Sequence, residues 1–326
     1  MKQFTICPNE SGQRFDKYLK KLLSNASGSF VYKMLRKKNI TLNDHKADGT
    51  EKLKEGDLVK LFLSDETFDK FSGEAETDSE YSNLKNIDVS GLDIVFEDED
   101  VIIINKPSGM LSQKAAVEDI SANEYILSYL IQKGGLTAEQ LRTFRPSVCN
   151  RLDRNTSGLL IAGKSMKGLQ EMSQALKKRT VQKYYRCIGK GELQGKMHLK
   201  GYLLKDEQMN KVSIVAKIRP EEREKYLPIE TEYRPVATGN GFTELEVHLI
   251  TGRSHQIRAH LASVGHPIVG DMKYGDRKVN ERFRRDVKIR SQMLHAYRIV
   301  FEDGSEVIAP SGAEFERAWN YITDSF

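Results

Sequence analysis

One short stretch, Val148–Lys164, constrains the fold and chemistry of this 326-residue chain more than any other. Within it the acid Asp153 lies between two arginines, Arg151 and Arg154, and an apolar strand begins at Leu159. A carboxylate in this setting stabilises a fold poorly, but neighbouring guanidinium groups hold it ionised. We therefore predict that Asp153 is a catalytic nucleophile. For an isolated Asp beside arginines, a helix cap or a structural ion pair would be the better interpretation. Whether Asp153 is catalytic therefore depends on other motifs of the chain, described below.

The composition narrows the class of protein. A chain of this length is expected to form two domains, and 39% hydrophobic with 30% charged residues indicates a soluble globular protein. The net charge of +5 favours a nucleic-acid partner only slightly. Three scattered cysteines without a CxxC pair predict neither a disulfide framework nor a zinc site. With no apolar leader or membrane-spanning run, we expect a reduced, cytoplasmic protein without membrane contact.

The N-terminal segment is short and basic. Between Arg14 and Lys38 there are eight Lys or Arg against the single acid Asp16, and apolar residues recur at helical spacing in two places. Two basic helices followed by short strands favour an RNA-docking module, since phosphate neutralisation drives non-specific affinity. In order and spacing the segment resembles an S4-type RNA-binding domain. That resemblance assigns RNA contact to a basic set, namely Arg14, Lys17, Lys33, Arg36, Lys37 and Lys38.

An acidic segment separates this module from the rest. Asp65–Glu80 carries seven acids against Lys70 alone, which is typical of a flexible, self-repelling linker. We therefore predict an S4-like domain at 1–64, a flexible acidic linker at 65–88 and a catalytic domain at 89–326. Beyond residue 92, strands alternate with scattered helices, so the fold class is expected to be α+β with a mixed, mostly antiparallel sheet.

Two further clusters accompany the Asp153 stretch. The first contains Val181, Lys183 and Tyr185 on one face of a strand, and the second is the run Thr251–Leu261. Each has a plain structural interpretation when taken alone: a strand tyrosine with its hydroxyl in water, or solvated arginines at a helix terminus. Metal binding by the histidines of 255–266 is disfavoured, because no metal-ligand spacing or acid cluster accompanies them.

Together the three clusters resemble the RluA-type family of pseudouridine synthases. Asn150–Leu159 matches the family's His-Arg-Leu-Asp-x-x-Thr-Ser-Gly-Leu, and Thr251–Leu261 matches its Thr-Gly-Arg-Thr/Ser-His-Gln-Ile-Arg-x-His-Leu. The Val-x-Lys-x-Tyr element matches Val181–Tyr185, and Leu294 opens a weaker Leu-His-Ala element. Asn150 departs from the family pattern, because a histidine usually stands there. We expect this change to alter local hydrogen bonding rather than to abolish activity.

The resemblance implies an isomerase that converts uridine in RNA to pseudouridine without cofactor or metal. It implies catalytic roles for Asp153 as nucleophile and for Arg253 as the guanidinium that keeps it ionised. It implies that Tyr185 stacks on the extruded base, and assistance by Tyr185 in removing the C5 proton stays open. The implied substrate-binding residues are Arg151, Arg154, Lys183, His255, Gln256, Arg258 and Leu294. The implied partner is RNA, by analogy large-subunit (23S) ribosomal RNA or a ribosomal precursor, bound by a monomer.

Other interpretations remain open at this point. A non-catalytic RNA-binding or ribosome-assembly factor has Asn150 as its only support, and the same enzyme acting on transfer RNA fits the motifs equally well. A sugar hydrolase would need a second flanking acid, and no paired candidate is present. A second basic run favours RNA contact over a merely solvated helix face; it contains Arg277, Lys278, Arg282, Arg284, Arg285, Lys288 and Arg290.

Overall fold

The structure is a computed structural model that describes residues 1–324. The chain divides into two compact units, which we describe in turn. The first unit comprises Met1–Ile103, Gln113–Asn150 and Ile161–Gln174. The second comprises Ile104–Ser112, Arg151–Leu160 and the chain from Ala175 onward.

The first unit begins with a small sheet and two helices. Its elements are β1 (Lys2–Thr5), α1 (Phe15–Leu22), α2 (Gly28–Arg36), β2 (Ile40–Leu42), β3 (His45–Lys46) and β4 (Leu58–Leu61). The strands pair antiparallel in the order β1-β4-β2-β3. Phe15, Leu19 and Leu22 of α1 are fully buried in one core with Val31 and Leu35 of α2. The helices and strands predicted here are therefore confirmed, and the apolar spacing that predicted them is what builds the core.

The acidic segment 65–88 is not a flexible linker, which corrects our expectation. It forms α3 (Asp65–Ser72) and α4 (Glu74–Lys85). Ser64 caps α3 by accepting from the Thr67 N–H at 3.2 Å, and Phe68 is buried in the N-terminal core. Charge repulsion along α4 is offset by arginines that the composition of the segment alone does not reveal. Arg142 donates a hydrogen bond to the Glu74 carboxylate at 2.9 Å, and Arg145 donates one to Glu80 at 2.8 Å.

The remainder of the first unit is mixed. Its elements are β5 (Ile94–Glu97), β6 (Val101–Lys106, whose last three residues belong to the second unit), α5 (Ala122–Gln132), α6 (Ala138–Thr143), β7 (Ser147–Val148), β8 (Ser157–Gly163, of which 157–160 belong to the second unit) and α7 (Met166–Lys178, of which 175–178 belong to the second unit). Ser121 and Thr137 each close a capping box, with Glu124 and Gln140 respectively. These reciprocal hydrogen bonds set where α5 and α6 begin.

The second unit is built around a long antiparallel sheet. Its elements are β9 (Gln182–Lys190), β10 (Met197–Asp206), β11 (Lys211–Val215), β12 (Leu227–Gly239), β13 (Phe242–Leu249), α8 (Gln256–Ser263), α9 (Arg277–Val287), β14 (Leu294–Val300), β15 (Glu306–Ile308) and α10 (Ala313–Asp324). The strands follow the order β11-β10-β12-β13-β9-β14-β8, with β15 beside β14. β14 runs parallel to the start of β8 and antiparallel to β9. The expected α+β class with mostly antiparallel strands is confirmed.

Helices cover this sheet with two apolar clusters. Phe283 of α9 and Phe315 of α10 pack with Ile188 and Phe242 of the central strands. Ala259 of α8 packs at the other end of the strand order, in a cluster with residues of β10, β11 and β12. α8 therefore lies against β10, β11 and β12 at this end of the sheet. Within residues 1–324, no helix is long and apolar enough to cross a membrane.

Candidate active site

The loop between β7 and β8 carries Asp153, and a second loop fixes its backbone. Leu152 donates its N–H to the Ser112 hydroxyl at 3.0 Å and its carbonyl accepts from the same hydroxyl at 2.9 Å. The Arg154 carbonyl accepts from the Gly109 N–H at 2.9 Å and from the Lys106 ammonium at 3.2 Å. The loop is therefore held on both sides of Asp153, whose side chain is 27% exposed.

The end of this loop is fixed by a close approach of two strands. Gly158 has a φ of +113°, and a Cβ built there would lie 2.2 Å from the Ala296 carbonyl oxygen. No residue other than glycine fits both conditions. Gln292 adds a hydrogen bond from its amide nitrogen to the Thr156 hydroxyl at 3.1 Å. The Thr-Ser-Gly turn recognised in the sequence thus sets where the Asp153 loop ends.

Arg258, on α8, is the guanidinium that contacts Asp153. Its Nη1 donates to Asp153 Oδ2 at 2.7 Å, and its side chain is only 6% exposed. Burial disfavours the charged form of Arg258, but the carboxylates of Asp271 and Asp153 outweigh it and raise the pKa of the guanidinium. This geometry corrects our expectation that Arg253 would be the partner of Asp153. Arg253 is exposed at the start of the loop before α8, so its contact with substrate stays a prediction.

Tyr185 lies in β9 opposite Val247 and Ala296, and it is 6% exposed. Burial raises the pKa of its phenol, and the Asp153 carboxylate adds to the shift. The role of Tyr185 beside Asp153 stays a prediction. Lys183, two residues earlier on the same strand, is half-buried, and burial followed by the Arg179 charge lowers the pKa of its amine.

The remaining predicted substrate residues fall into two groups. His255 has a left-handed backbone, and its Nδ1 lies 2.9 Å from the Tyr274 hydroxyl. Burial lowers the pKa of His255, while Asp153 opposes this as the next contribution, so His255 belongs to the same charge cluster. Arg151 and Arg154 are exposed, and they stay candidates for phosphate contact.

Gln256 is hydrogen-bonded within the protein, and Leu294 is buried in the sheet. The Gln256 amide accepts from the Thr251 hydroxyl at 2.9 Å and donates to the Glu230 carbonyl at 2.9 Å and to the Thr231 hydroxyl at 3.0 Å. Leu294 is 5% exposed and pairs with β9. The Gln256 side chain therefore stabilises the loop before α8, and the substrate contact expected of both residues stays a prediction.

Sequence reasoning assigned no role to two buried charged groups of the site. Asp271 is fully buried, and the Lys106 ammonium is enclosed by three backbone carbonyls, those of Pro107, Met110 and Arg154. Burial lowers the pKa of Lys106 to about 8, opposed by the charge of Asp153. Lys106 ends an apolar strand and precedes a proline, an unusual place for a charge and the only signal that pointed to it. Among residues 1–324, no group of acidic, histidine or cysteine side chains is arranged to hold a metal ion.

Comparison with known proteins identifies the class to which this fold and site belong. A family model described as RNA pseudouridylate synthase matches residues 100–263. A protein of Pasteurella multocida named ribosomal large subunit pseudouridine synthase C is 32% identical over 311 residues, covering 93% of this chain and 86% of the relative. Its namesake in Haemophilus influenzae is 32% identical over 309 residues, covering 93% and 87%.

Solved structures agree in fold. Human RNA pseudouridylate synthase domain containing 4 has a TM-score of 0.56 at 18% identity and covers 76% of this chain and 97% of its own. Human RNA pseudouridylate synthase domain containing 1 has a TM-score of 0.53 at 22% identity, covering 69% and 85%. The chain belongs to the RluA-type family of RNA pseudouridine synthases. The expected enzyme class, an isomerase acting on RNA, is thereby confirmed.

Proposed function

We propose that this protein converts specific uridines of large-subunit ribosomal RNA to pseudouridine, with Asp153 as the nucleophile. The observation that carries the assignment of the nucleophile is the 2.7 Å contact of Asp153 with the buried Arg258 guanidinium. Support for the RNA class comes from the relatives, which are named as ribosomal large subunit enzymes. The three free cysteines, Cys7, Cys149 and Cys187, fit a reducing, cytoplasmic setting, and we propose that the enzyme acts there as a monomer.

The reaction requires an ionised carboxylate beside the uridine. The N1–C1′ bond breaks, the base turns, C5 bonds to C1′ and the C5 proton moves to N1, so no atom is gained or lost overall. Asp153 is partly exposed while its partner is buried, so one side of the carboxylate faces the space where substrate binds. Attack at C1′, attack at C6 and promotion of a glycal intermediate all need this charge.

Tyr185 supplies an apolar surface for the extruded base. Because burial and Asp153 both raise the pKa of its phenol, the phenolate is disfavoured at neutral pH. The residue is therefore better suited to stacking on the base, as we expected, than to removing the C5 proton. Its ring is anchored in the sheet between β13 and β14, which gives a rigid surface for a flat ligand.

Basic surfaces supply the affinity for RNA that base extrusion requires. Extruding a nucleotide from its stack costs about a few kcal/mol. The S4-like residues Lys17, Lys33, Arg36, Lys37 and Lys38 are all exposed. Arg14 donates to Asp16 at 3.0 Å, so part of its charge is neutralised within the protein. Phosphate contacts by the five lysines and arginines of this set that form no ion pair within residues 1–324 would offset the cost of extrusion.

Replacing Asp153 by Asn tests the function. Asp153→Asn removes the charge at nearly constant volume, so pseudouridine formation is expected to fall by about 10³-fold or more while RNA affinity changes less than about twofold. The measurement is primer extension after carbodiimide treatment of ribosomal RNA from a deletion strain that expresses either form. Substantial activity in the variant would contradict the nucleophile assignment.

The same mapping distinguishes the alternative functions. Loss of a pseudouridine confined to transfer RNA in the deletion strain would replace ribosomal RNA as the substrate. An unchanged pseudouridine map, together with a defect in ribosome assembly, would favour a non-catalytic assembly factor. Asp303→Asn serves as a matched control for Asp153→Asn, because it makes the same substitution in an exposed turn outside the site and should leave activity at the wild-type level.

A further inference from the structure

Arg258 is shared between two carboxylates. Its Nε donates to Asp271 Oδ2 at 2.7 Å and its Nη2 donates to Asp271 Oδ1 at 2.8 Å, while its Nη1 donates to Asp153. The pair with Asp271 is bidentate, the strongest geometry available to a guanidinium, and the contact with Asp153 is single. One positive charge therefore serves two negative ones, and the buried acid takes the larger share.

Asp271 is held independently of Arg258. Its Oδ1 also accepts the Lys273 N–H at 2.8 Å and the Tyr274 N–H at 3.1 Å, and its carbonyl accepts from the Asn280 amide at 2.9 Å. A Cβ at the neighbouring Gly275 would lie 2.2 Å from that carbonyl oxygen. The Asp271 carboxylate is thus fixed by its own loop, and the guanidinium adapts to it.

We propose that Asp271 is a positioning residue of the reaction, which orients Arg258 so that a single N–H reaches the nucleophile Asp153. The inference rests on the proposed role of Asp153. With two of its donor groups engaged by Asp271, Arg258 contacts only Oδ2 of Asp153. Oδ1 has no protein hydrogen bond within residues 1–324, and it stays available to the uridine.

The bidentate pair also limits how strongly Arg258 quenches the nucleophile. A carboxylate that is paired on both oxygens is a weaker nucleophile than one paired on a single oxygen, because its charge is withdrawn by two hydrogen bonds. Without the Asp271 charge, the full guanidinium charge would act on Asp153. A purely structural salt bridge would change stability but leave the pH dependence of the reaction in place.

Asp271→Asn tests the proposal. The variant keeps the volume of the side chain and loses its charge, so we expect kcat to fall by about 100-fold with KM within about threefold. The acidic limb of the kcat–pH profile is expected to move to lower pH, because Asp153 then has Arg258 to itself. Unchanged kcat and pH profile in a folded Asp271→Asn enzyme would overturn the proposal. A fall in kcat that is accompanied by a lower Tm, with the kcat–pH profile unchanged, would also overturn it.

Two further variants keep the test decisive. Asp276→Asn removes an acid from the same segment, one that caps α9 and pairs with Lys190; it should lower Tm and leave kcat and the pH profile unchanged. Should Asp271→Asn fail to fold, Asp271→Glu keeps the charge but advances it toward Arg258. Asp271→Glu is expected to lower kcat about tenfold or more without moving the acidic limb of the kcat–pH profile. A wild-type kcat in Asp271→Glu would also overturn the proposal. Inactive wild-type enzyme on every RNA would instead contradict the proposed function.

Discussion

Asp153 and Arg258 lie 105 positions apart in the sequence, yet their carboxylate and guanidinium meet at 2.7 Å. Arg258 is buried and is also bound by the fully buried Asp271, whereas Asp153 retains a solvent-facing side. One side chain thus connects the stability of the second unit with the chemistry of its site. Substitutions around it separate these two contributions.

Replacing Arg258 by Met is expected to damage both stability and activity. The change leaves the Asp271 carboxylate buried without its partner, which costs about 3–5 kcal/mol of unfolding free energy. Urea unfolding monitored by circular dichroism measures this loss. Arg253→Met, at an exposed position in the loop before α8, should change the free energy of unfolding by less than about 0.5 kcal/mol. Equal destabilisation by both variants would contradict the assignment of Arg258 as the internal partner.

Asn150 acts as a backbone acceptor in place of the usual family histidine. Its Oδ1 accepts the N–H of the fully buried Ile161 at 2.8 Å. Asn150→Ala leaves that N–H unpaired and should destabilise the protein by about 1–2 kcal/mol, with kcat within about threefold of wild type. Asn150→Asp keeps an acceptor oxygen and should retain most of the stability. A large loss of kcat in a stable Asn150→Asp enzyme would show that the position takes part in the reaction.

His260 makes stability depend on pH. It is 2% exposed, its Nδ1 lies 3.0 Å from the Thr231 hydroxyl, and burial lowers its pKa from 6.5 to about 4. The unfolded chain therefore binds a proton that the folded chain does not between pH 6.5 and 4. Stability present above pH 6.5 is lost as pH falls through this window, by roughly 3 kcal/mol in total.

Denaturant unfolding between pH 4 and 7 measures the contribution of His260. His260→Asn should flatten the profile relative to wild type, although other buried histidines leave some slope. His45→Asn, at an exposed position of β3, is the matched control and should leave the slope unchanged. A wild-type slope in the His260 variant would contradict the prediction.

The basic run around α9 contains paired and unpaired charges. Arg277 pairs with Glu281 and Arg285 with Asp286, whereas Lys278, Arg284 and Arg290 are exposed without an ion pair within residues 1–324. Replacing these three by Gln should weaken RNA binding at low salt. It should also reduce the slope of log affinity against log salt by about two. Filter binding over a salt series measures both quantities.

A charge-neutral control accompanies this test. Arg285→Gln combined with Asp286→Asn removes one positive and one negative charge from the same helix, so RNA affinity and its salt slope should stay near wild type. If the triple variant binds like wild type as well, this surface does not contact RNA, and the simpler interpretation of a solvated helix face holds.

Local pattern predicted the elements of this protein well. Helical spacing of the apolar residues in the N-terminal segment predicted α1 and α2, because such spacing depends only on neighbours within a turn or two. The acidic segment 65–88 misled for the opposite reason. The arginines that neutralise α4 lie some 65 residues away in the sequence, so its composition alone indicated disorder.

The residues of the site likewise divide into those that local motifs predicted and those that depend on contacts between distant segments. Family motifs indicated Asp153, Tyr185 and Arg253 as the catalytic set, and in the structure it is Arg258 that contacts Asp153. The choice between Arg253 and Arg258 could not be made from sequence, since it depends on where α8 begins and on which side chain then reaches the Asp153 loop. Asp271 lies outside the motifs of the sequence, and only the folded loop that follows α8 makes it a partner of Arg258.

The close approach of Gly158 to Ala296 affects when the site can form during synthesis of the protein. The parallel pairing of β8 with β14 joins residues 157 and 295, and Gln292 reaches back to Thr156 in the same region. Such distant pairing forms late in folding, because a long loop must close before any contact rewards it. During synthesis the Asp153 loop therefore acquires its final shape only when the last tenth or so of the polypeptide is present. Shortened products that end before β14 would contain every sequence motif up to Leu261 and still lack a competent site.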